Sequence, residues 1–302
     1  MTKFFKTFLI CVVFLTLAAC FQVETVVKVK TDGSGVIEET FLMKKDFLDQ
    51  MKKMVEGMAK DMGQALTESE NNGKTQQGAD AQNKTKEFDI FDEAKLKEVA
   101  KEMGEGVTYV EGSKVVVGGY EGYKAIYAFK DINKVRINQN PGEKVPGGPQ
   151  QGNSDSKGAK EYLTFVFTKG KPAELIIKSP AKGFDKESAD TAETEKQSQS
   201  SASPTEEALS QMKGLFQGMK FALAVVVDGD ILETNATHRD GSRITLLELD
   251  FGKLIENPEK FKKFNESKPK TMEEAKLLMQ DLPGIKVDLN NEIRIKFDQR
   301  KI

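Results

Sequence analysis

The stretch VETVVKVKTDGSGVIEETFLM, Val23 to Met43, decides the fold class. Val23, Thr25, Val27 and Val29 alternate with Glu24, Lys28 and Lys30, a period of two that sends alternate side chains to opposite faces of a strand. Asp32-Gly33-Ser34-Gly35 carries turn chemistry, and Val36 to Met43 returns beyond it, so the segment reads as a β-hairpin. Working outward, Asp46 caps a helix whose Phe47, Leu48, Met51, Met54, Val55, Met58, Met62 and Leu66 share one face. A second helix is predicted near Asp92 to Met103. Val107 to Phe129 reads as paired strands around Gly112-Ser113 and Gly118-Gly119, and Tyr162 to Lys178 as a hairpin around Lys169-Gly170-Lys171-Pro172.

The later half repeats the order. Glu206 to Gly218 is helical in spacing through Leu209, Met212, Leu215 and Phe216, and leads into a strand from Met219 to Val227. Asp228-Gly229-Asp230 turns the chain toward Ile231 to Thr234, and Arg243 to Leu249 pairs beyond Asp240-Gly241. A helix from Met272 to Leu282 stops at Pro283-Gly284, before strands near Ile285 to Leu289 and Glu292 to Phe297. Strands come in runs joined by turns, with helices between the runs. The expectation is an α+β fold, a curved antiparallel sheet with amphipathic helices packed on one face, and not a βαβ parallel sheet. Residues 67–86, 138–160 and 181–204 are rich in Ser, Gln, Asn, Gly, Lys and Glu, and are read as disordered insertions in one domain spanning 20–302.

Upstream of the hairpin, Lys3 and Lys6 precede an apolar segment, Thr7 to Leu17, which is short for ~30 Å of hydrocarbon. It ends in Leu17-Ala18-Ala19-Cys20, the layout of a secretory signal with small residues before its cleavage point. These four residues resemble the lipobox of bacterial lipoproteins. The resemblance implies a signal peptide over 1–19, removal of Cys11 with it, and Cys20 as a diacylated first mature residue. A mature chain without a free thiol or a disulfide must rely on an ordinary core. Charged residues make up 30% of the 302 residues, yet the net charge is only −2, which gives no sign of a nucleic-acid partner.

Few residues suggest reaction chemistry. His238 is the one histidine, so neither a zinc site of three or four ligands nor a histidine-based triad is visible around it. Asp240-Gly241-Ser242 lacks the flanking pattern of a nucleophile elbow, and Asp228-Gly229-Asp230 lacks the further oxygens of a calcium loop. Gly33-Ser34-Gly35 joins two strands, with no lysine and no helix N-terminus behind it, so it is no phosphate loop. No catalytic residue, metal site or cofactor is expected, and the chain is read as a non-enzyme. The methionines are more informative. Methionine is flexible and polarizable, so a face built from it repacks around varied apolar partners. Met51, Met54, Met58, Leu215 and Met219, with the inward side of Val225 and Val227, are the candidate ligand-binding residues; plain core packing is the alternative.

The chain also resembles a family as a whole. The hairpin at Asp32-Gly33-Ser34-Gly35 is followed by Gly118-Gly119-Tyr120-Glu121-Gly122-Tyr123-Lys124-Ala125-Ile126-Tyr127-Ala128-Phe129-Lys130-Asp131-Ile132. Later come Val227-Asp228-Gly229-Asp230-Ile231-Leu232-Glu233-Thr234-Asn235-Ala236 and Asp240-Gly241-Ser242-Arg243-Ile244-Thr245-Leu246. Together they resemble the LppM-type domain of envelope lipoproteins, although Asp228-Gly229 stands where that family often has Pro-Gly and Leu246 where it often has Trp. The resemblance implies a sheet-and-helix domain related to lipid-binding folds, without catalytic activity. The expected function is therefore a lipid-anchored envelope protein that binds an apolar ligand such as a lipid. A scaffold in an envelope complex is the alternative, and a hydrolase with an unrecognised site the third reading. Expected partners are the membrane, a lipid and an envelope protein. With Phe21 after the cysteine, a Gram-negative host would send the protein to the outer membrane, facing the periplasm.

Overall fold

The computed structural model describes residues 21–53, 90–139, 162–180, 218–257, 259–260, 267 and 272–299. The hairpin forms as its period dictates: β1 (Phe21–Val29) pairs antiparallel with β2 (Gly35–Lys44), with Phe21 opposite Met43 and Val29 opposite Gly35. Asp32 Oδ1 holds the turn by accepting from the Ser34 amide at 2.9 Å and the Ser34 hydroxyl at 2.7 Å, bonds that draw the Asp32 carboxyl below its ordinary pKa. Gly33 is left-handed there (φ +86°), and a Cβ on it would sit 2.7 Å from the Phe167 ring.

Around this hairpin grows an eight-stranded sheet. Its order is β10-β11-β8-β1-β2-β4-β3, with β12 on β11, from β3 (Thr108–Val117), β4 (Tyr120–Phe129), β8 (Lys220–Val227), β10 (Arg239–Asp240), β11 (Arg243–Asp250) and β12 (Ile285–Val287). A five-stranded sheet, β5-β6-β7-β13-β9, holds β5 (Arg136–Asn138), β6 (Tyr162–Thr168), β7 (Ala173–Lys178), β9 (Asp230–Thr234) and β13 (Glu292–Asp298). The chain is thus α+β and mostly strand, but it has two open sheets where one was expected. One pair is parallel: β1 runs beside β8, with Val23 opposite Phe221 and Val29 opposite Val227. The parallel pair arises because β8 comes from far downstream, and Asp228-Gly229 does not fold it back on itself. That turn passes the chain to the second sheet, where β9 pairs with β13.

Two further differences have local causes. Gly112-Ser113 is no turn but the middle of β3, paired with Ala125 and Lys124. A Cβ at Gly112 would lie 2.7 Å from the Tyr109 hydroxyl and 2.9 Å from the Phe91 ring, so glycine marks a close approach and not a reversal. The short helix Phe251–Ile255, capped by Asp250, was not anticipated, being too short to show a period. Asp92 caps the helix Glu93–Glu102 by accepting from the Ala94 and Lys95 amides, and the helix Met272–Gln280 forms where its spacing placed it. Helix is also present over 45–53, where Leu48 and Met51 are buried. The predicted helix at Glu206 to Gly218 and the three insertions lie almost wholly outside the described residues.

The two sheets share one core. Val23, Val27, Val29, Ile37 and Phe41 from the first belong to the same buried cluster as Phe165, Leu175, Ile177, Ile295 and Phe297 from the second. Alternation is clean in β7 and β13, where Ala173, Leu175 and Ile177, then Ile293, Ile295 and Phe297, turn inward. The second sheet therefore shares the inward face of the first, and Leu48, Met51, Leu96 and Ala100 of the helices belong to the same buried cluster. Phe297→Ala should cost about 3–5 kcal/mol, and Leu232→Ala, exposed on β9, within about 0.5 kcal/mol. Urea unfolding followed by circular dichroism should show one transition moving as a whole; a separate early transition on Phe297→Ala would mean that the sheets unfold independently.

Candidate functional site

The inward face of the large sheet is not uniformly apolar. Glu39, in the middle of β2, is 3% exposed and faces the core. Strand register puts it between Thr25 of β1 and Ala125 of β4, and Tyr123 and Tyr127 flank Ala125 on the same face. The Tyr123 hydroxyl donates to Glu39 Oε1 at 3.2 Å, long for a bond between two oxygens. Tyr127 is fully buried, with no hydrogen-bond partner for its hydroxyl among the described residues. Burial, with the Glu39 carboxyl nearby, pushes the Tyr123 phenol far above its ordinary value, and burial does the same to Tyr127 with Glu39 and Tyr109 contributing. With Thr25, four oxygen-bearing side chains thus gather where packing alone asks for hydrocarbon. Sequence reasoning missed them because Glu39 follows Glu38 in a strand, and only the phase of the alternation tells which of the two points inward.

An aromatic row lies beside this group toward the start of β1. Phe21 meets Phe221 edge-on at 5.2 Å and stacks on Phe41 at 6.4 Å; Phe41 stacks on Tyr123 at 5.7 Å, and Phe221 meets Phe251 edge-on at 6.4 Å. Such pairs add about 0.5–1.5 kcal/mol each beyond the area they bury. Phe21 is 8% exposed, so the residue following Cys20 is itself part of the core.

Of the candidate ligand-binding residues, Met51, Met219, Val225 and Val227 are buried in the common core. Met54, Met58, Leu215 and the lipidation candidate Cys20 lie outside the described residues. The four that are described do not surround one pocket. Met219 precedes β8 at the Phe21 end and Val227 closes it at the other; eight residues of strand separate them by roughly 26 Å. Between the sheets, Val23, Thr25, Phe221, Leu223 and Leu247 face Ile137 and Gln139 across a crevice of about 30 Å³, the room of one water molecule.

A larger depression of about 580 Å³ opens on the surface among Lys101, Gly104, Glu105, Val107, Lys134 and Arg136. Two of its cations are engaged: Lys134 pairs with Glu105 at 2.7 Å, and Arg136 donates to the Glu102 carbonyl at 2.9 Å while covering the Tyr162 ring. His238 is half-buried in the approach to β10, and its carbonyl accepts from Thr245 at 2.9 Å. Nearby, Asp288 accepts from the Thr237 and Asn290 amides at 2.7 and 3.1 Å, which joins the β9–β10 connection to the β12–β13 connection, and Asn235 bonds the chain at Glu292 and Arg294, which ties the end of β9 to β13 within the second sheet. Among the described residues no group of three His, Cys, Asp or Glu could hold a metal ion, and no helix is long and apolar enough to cross a membrane.

Fold and site define an α+β domain of two sheets around a common core with a buried carboxyl-phenol group. No protein family matches this chain, and no curated protein does. Among solved structures, the folded domain of Mycobacterium tuberculosis LppM is similar over 78% of this chain and 85% of that one, at 12% identity and a TM-score of 0.28. The likeness is distant, and a superposition that loose carries no site or activity across.

The phenols make the core sensitive to alkali. The unfolded chain releases these protons near pH ~10, while the folded chain holds them to higher pH, so their contribution to stability is whole below that pH and lost above it. Stability should fall by about 1.4 kcal/mol per pH unit for each phenol as pH rises past ~10. Tyr123→Phe should remove one share of that slope in urea titrations on either side of this pH. Tyr127→Phe, which deletes an unpartnered hydroxyl, should do the same and leave stability at neutral pH unchanged or raised by about 1 kcal/mol; a loss of several would mean that the hydroxyl has a partner.

Proposed function

We propose that this chain is a non-catalytic lipoprotein of the bacterial envelope, held to a membrane by acyl chains on Cys20, which binds an apolar ligand such as a lipid. One observation carries the anchored reading. Phe21, the residue after Cys20, lies in β1 with its ring buried against Phe41 and Phe221. Lipobox cleavage would make Cys20 the mature terminus, one residue from this buried ring. Two or three acyl chains, at roughly 0.8 kcal/mol per buried methylene, hold such a protein firmly.

The ligand reading rests on the flexible, buried side chains of Met51 and Met219 and on the Glu39-Tyr123 group, which would suit the polar end of a mostly apolar molecule. The crevice of about 30 Å³ is about a tenth of a small-ligand site, so a lipid would have to displace these side chains to enter. Docking on an envelope protein, the scaffold reading, needs no such opening.

Cys20→Ser should release the protein from the membrane fraction, and mass spectrometry of the native N-terminal peptide should show acylation on Cys20. An unmodified cysteine behind a conventionally cleaved signal would end the anchored reading. Native mass spectrometry of the chain from Phe21, purified from an envelope fraction, should show a co-purified lipid that is lost when Met54 and Met58 are replaced by charged residues. A clean apo mass with folding intact would move the function to protein docking.

A further inference from the structure

The end of the large sheet at which Phe21 stands also carries an exposed apolar hairpin tip, and we propose that this tip, Val115 to Tyr120, inserts into the surface of the membrane to which the N-terminus is anchored. The placement follows from register. Phe21 is opposite Met43, Met43 opposite Glu121 and Glu121 opposite Val116; one step further, Lys44 is opposite Tyr120 and Tyr120 opposite Val117. The tip is therefore level with the start of β1 and three strands to its side, roughly 14 Å away at the usual strand spacing. Cys20 lies one residue, about 3.8 Å of chain, from Phe21. An anchor there leaves the tip little freedom to stand away from the bilayer.

The chemistry of the tip fits a lipid surface. Val116 is 72% exposed and Val117 54% exposed, although a β3–β4 hairpin this long has a buried face available to it. Gly118 (φ +55°) and Gly119 (φ +81°) form a two-residue turn that needs a left-handed backbone at both positions and puts nothing bulky at the apex. Beside the valines stand Lys44 and Lys45, both exposed and without an ion-pair partner among the described residues. The Lys45 amide donates to the Gly119 carbonyl at 2.9 Å, which ties these cations to the turn. Apolar side chains at an apex with lysines just behind match a bilayer boundary, hydrocarbon below and anionic headgroups above. A second weak contact adds to a lipid anchor at high effective concentration.

The tip proposal deepens the anchored reading but is tested without acylation. The chain from residue 21, which contains every described strand, is held by an N-terminal hexahistidine to phosphatidylcholine vesicles carrying a nickel-chelating lipid, with or without phosphatidylglycerol. It has no native cysteine, so Val117→Cys and Val110→Cys each take one environment-sensitive fluorophore. The label at 117 should shift to the blue and be quenched by nitroxide-bearing lipid, and the label at 110, at the other end of β3, should do neither. Without the tether, Val116→Asp with Val117→Asp should lower vesicle partitioning roughly tenfold or more, and Lys44→Glu with Lys45→Glu should remove the gain from phosphatidylglycerol. These side chains are exposed, and an unchanged circular dichroism spectrum shows that the fold is kept. A label at 117 that stays in water on tethered chains overturns the proposal, as does unchanged partitioning of the valine variant. Shielding at 117 without vesicles, together with a dimer mass, overturns it in favour of a second copy on the β3 edge. Unacylated Cys20 with an inserted tip would remove the lipoprotein reading and keep this one; acylated Cys20 with a water-exposed tip would do the reverse.

Discussion

Both edges of β1 are paired, and most of the structure is arranged around that. β2 covers one edge through the local hairpin and β8 covers the other in parallel, so a nine-residue strand at the start of the domain waits on a partner nearly two hundred residues later. Closing so long a loop costs entropy that grows only slowly with length. The return comes from burial: Val23, Val27 and Val29 lie beside Phe221, Val225 and Val227, side chains that each contribute about 1.5–3 kcal/mol when fully buried. Long segments between β2 and β8 can therefore be carried at modest cost, provided that the central pairing holds.

The same face explains why Glu39 is not trivial. In a sheet covered by a second sheet, a carboxyl at the centre of a paired strand has no route to bulk water. Its neighbours Tyr123 and Thr25 give it polar company, and the Tyr127 hydroxyl nearby goes unpaired. Replacing such a group with hydrocarbon of similar shape is often neutral or stabilising. A core that keeps it forgoes stability, and the two uses open to such a group are fixing the packing arrangement and meeting the polar end of something that enters.

How much of this could be read from the chain depended on range. The β1–β2 hairpin, the β6–β7 hairpin and the helix capped by Asp92 were legible because period, turn residues and caps act within a few residues. The two-sheet arrangement was not, since Asp228-Gly229 looks the same whether it folds β8 back or passes the chain to another layer. Gly112-Ser113 misled for a related reason: glycine marks a turn and a close approach alike, and only the Phe91 and Tyr109 rings above it tell which. In the candidate site, Val225 and Val227 are read as inward and are buried, but the apolar run from Phe221 to Val227 shows no alternation and hides the fact that Met219 lies far from Val227. Glu39 and Tyr127 carried no signal beyond strand phase.

Under the proposed acylation of Cys20, the anchor would also orient whatever the domain does. The strand is nine residues long, about 30 Å at the usual rise, so its two ends differ in kind. The Phe21 end holds the aromatic row, Met219, the apolar tip and the exposed Lys44 and Lys45. The far end holds turns: Asp32 to Ser34, Asp131 to Lys134, Asp228-Gly229, Gly241 and the polar depression at Gly104. With that anchor, the flexible apolar side chains would lie where lipid is available, and the polar turns where water is. A ligand that left a bilayer would meet methionine and phenylalanine first and reach the Glu39-Tyr123 group only beyond them. A protein partner in the aqueous space would meet the turns instead. With the proposed anchor one residue from the core, the domain could not exchange these two ends by tumbling, so the direction of approach would separate the two kinds of partner before any contact chemistry acts.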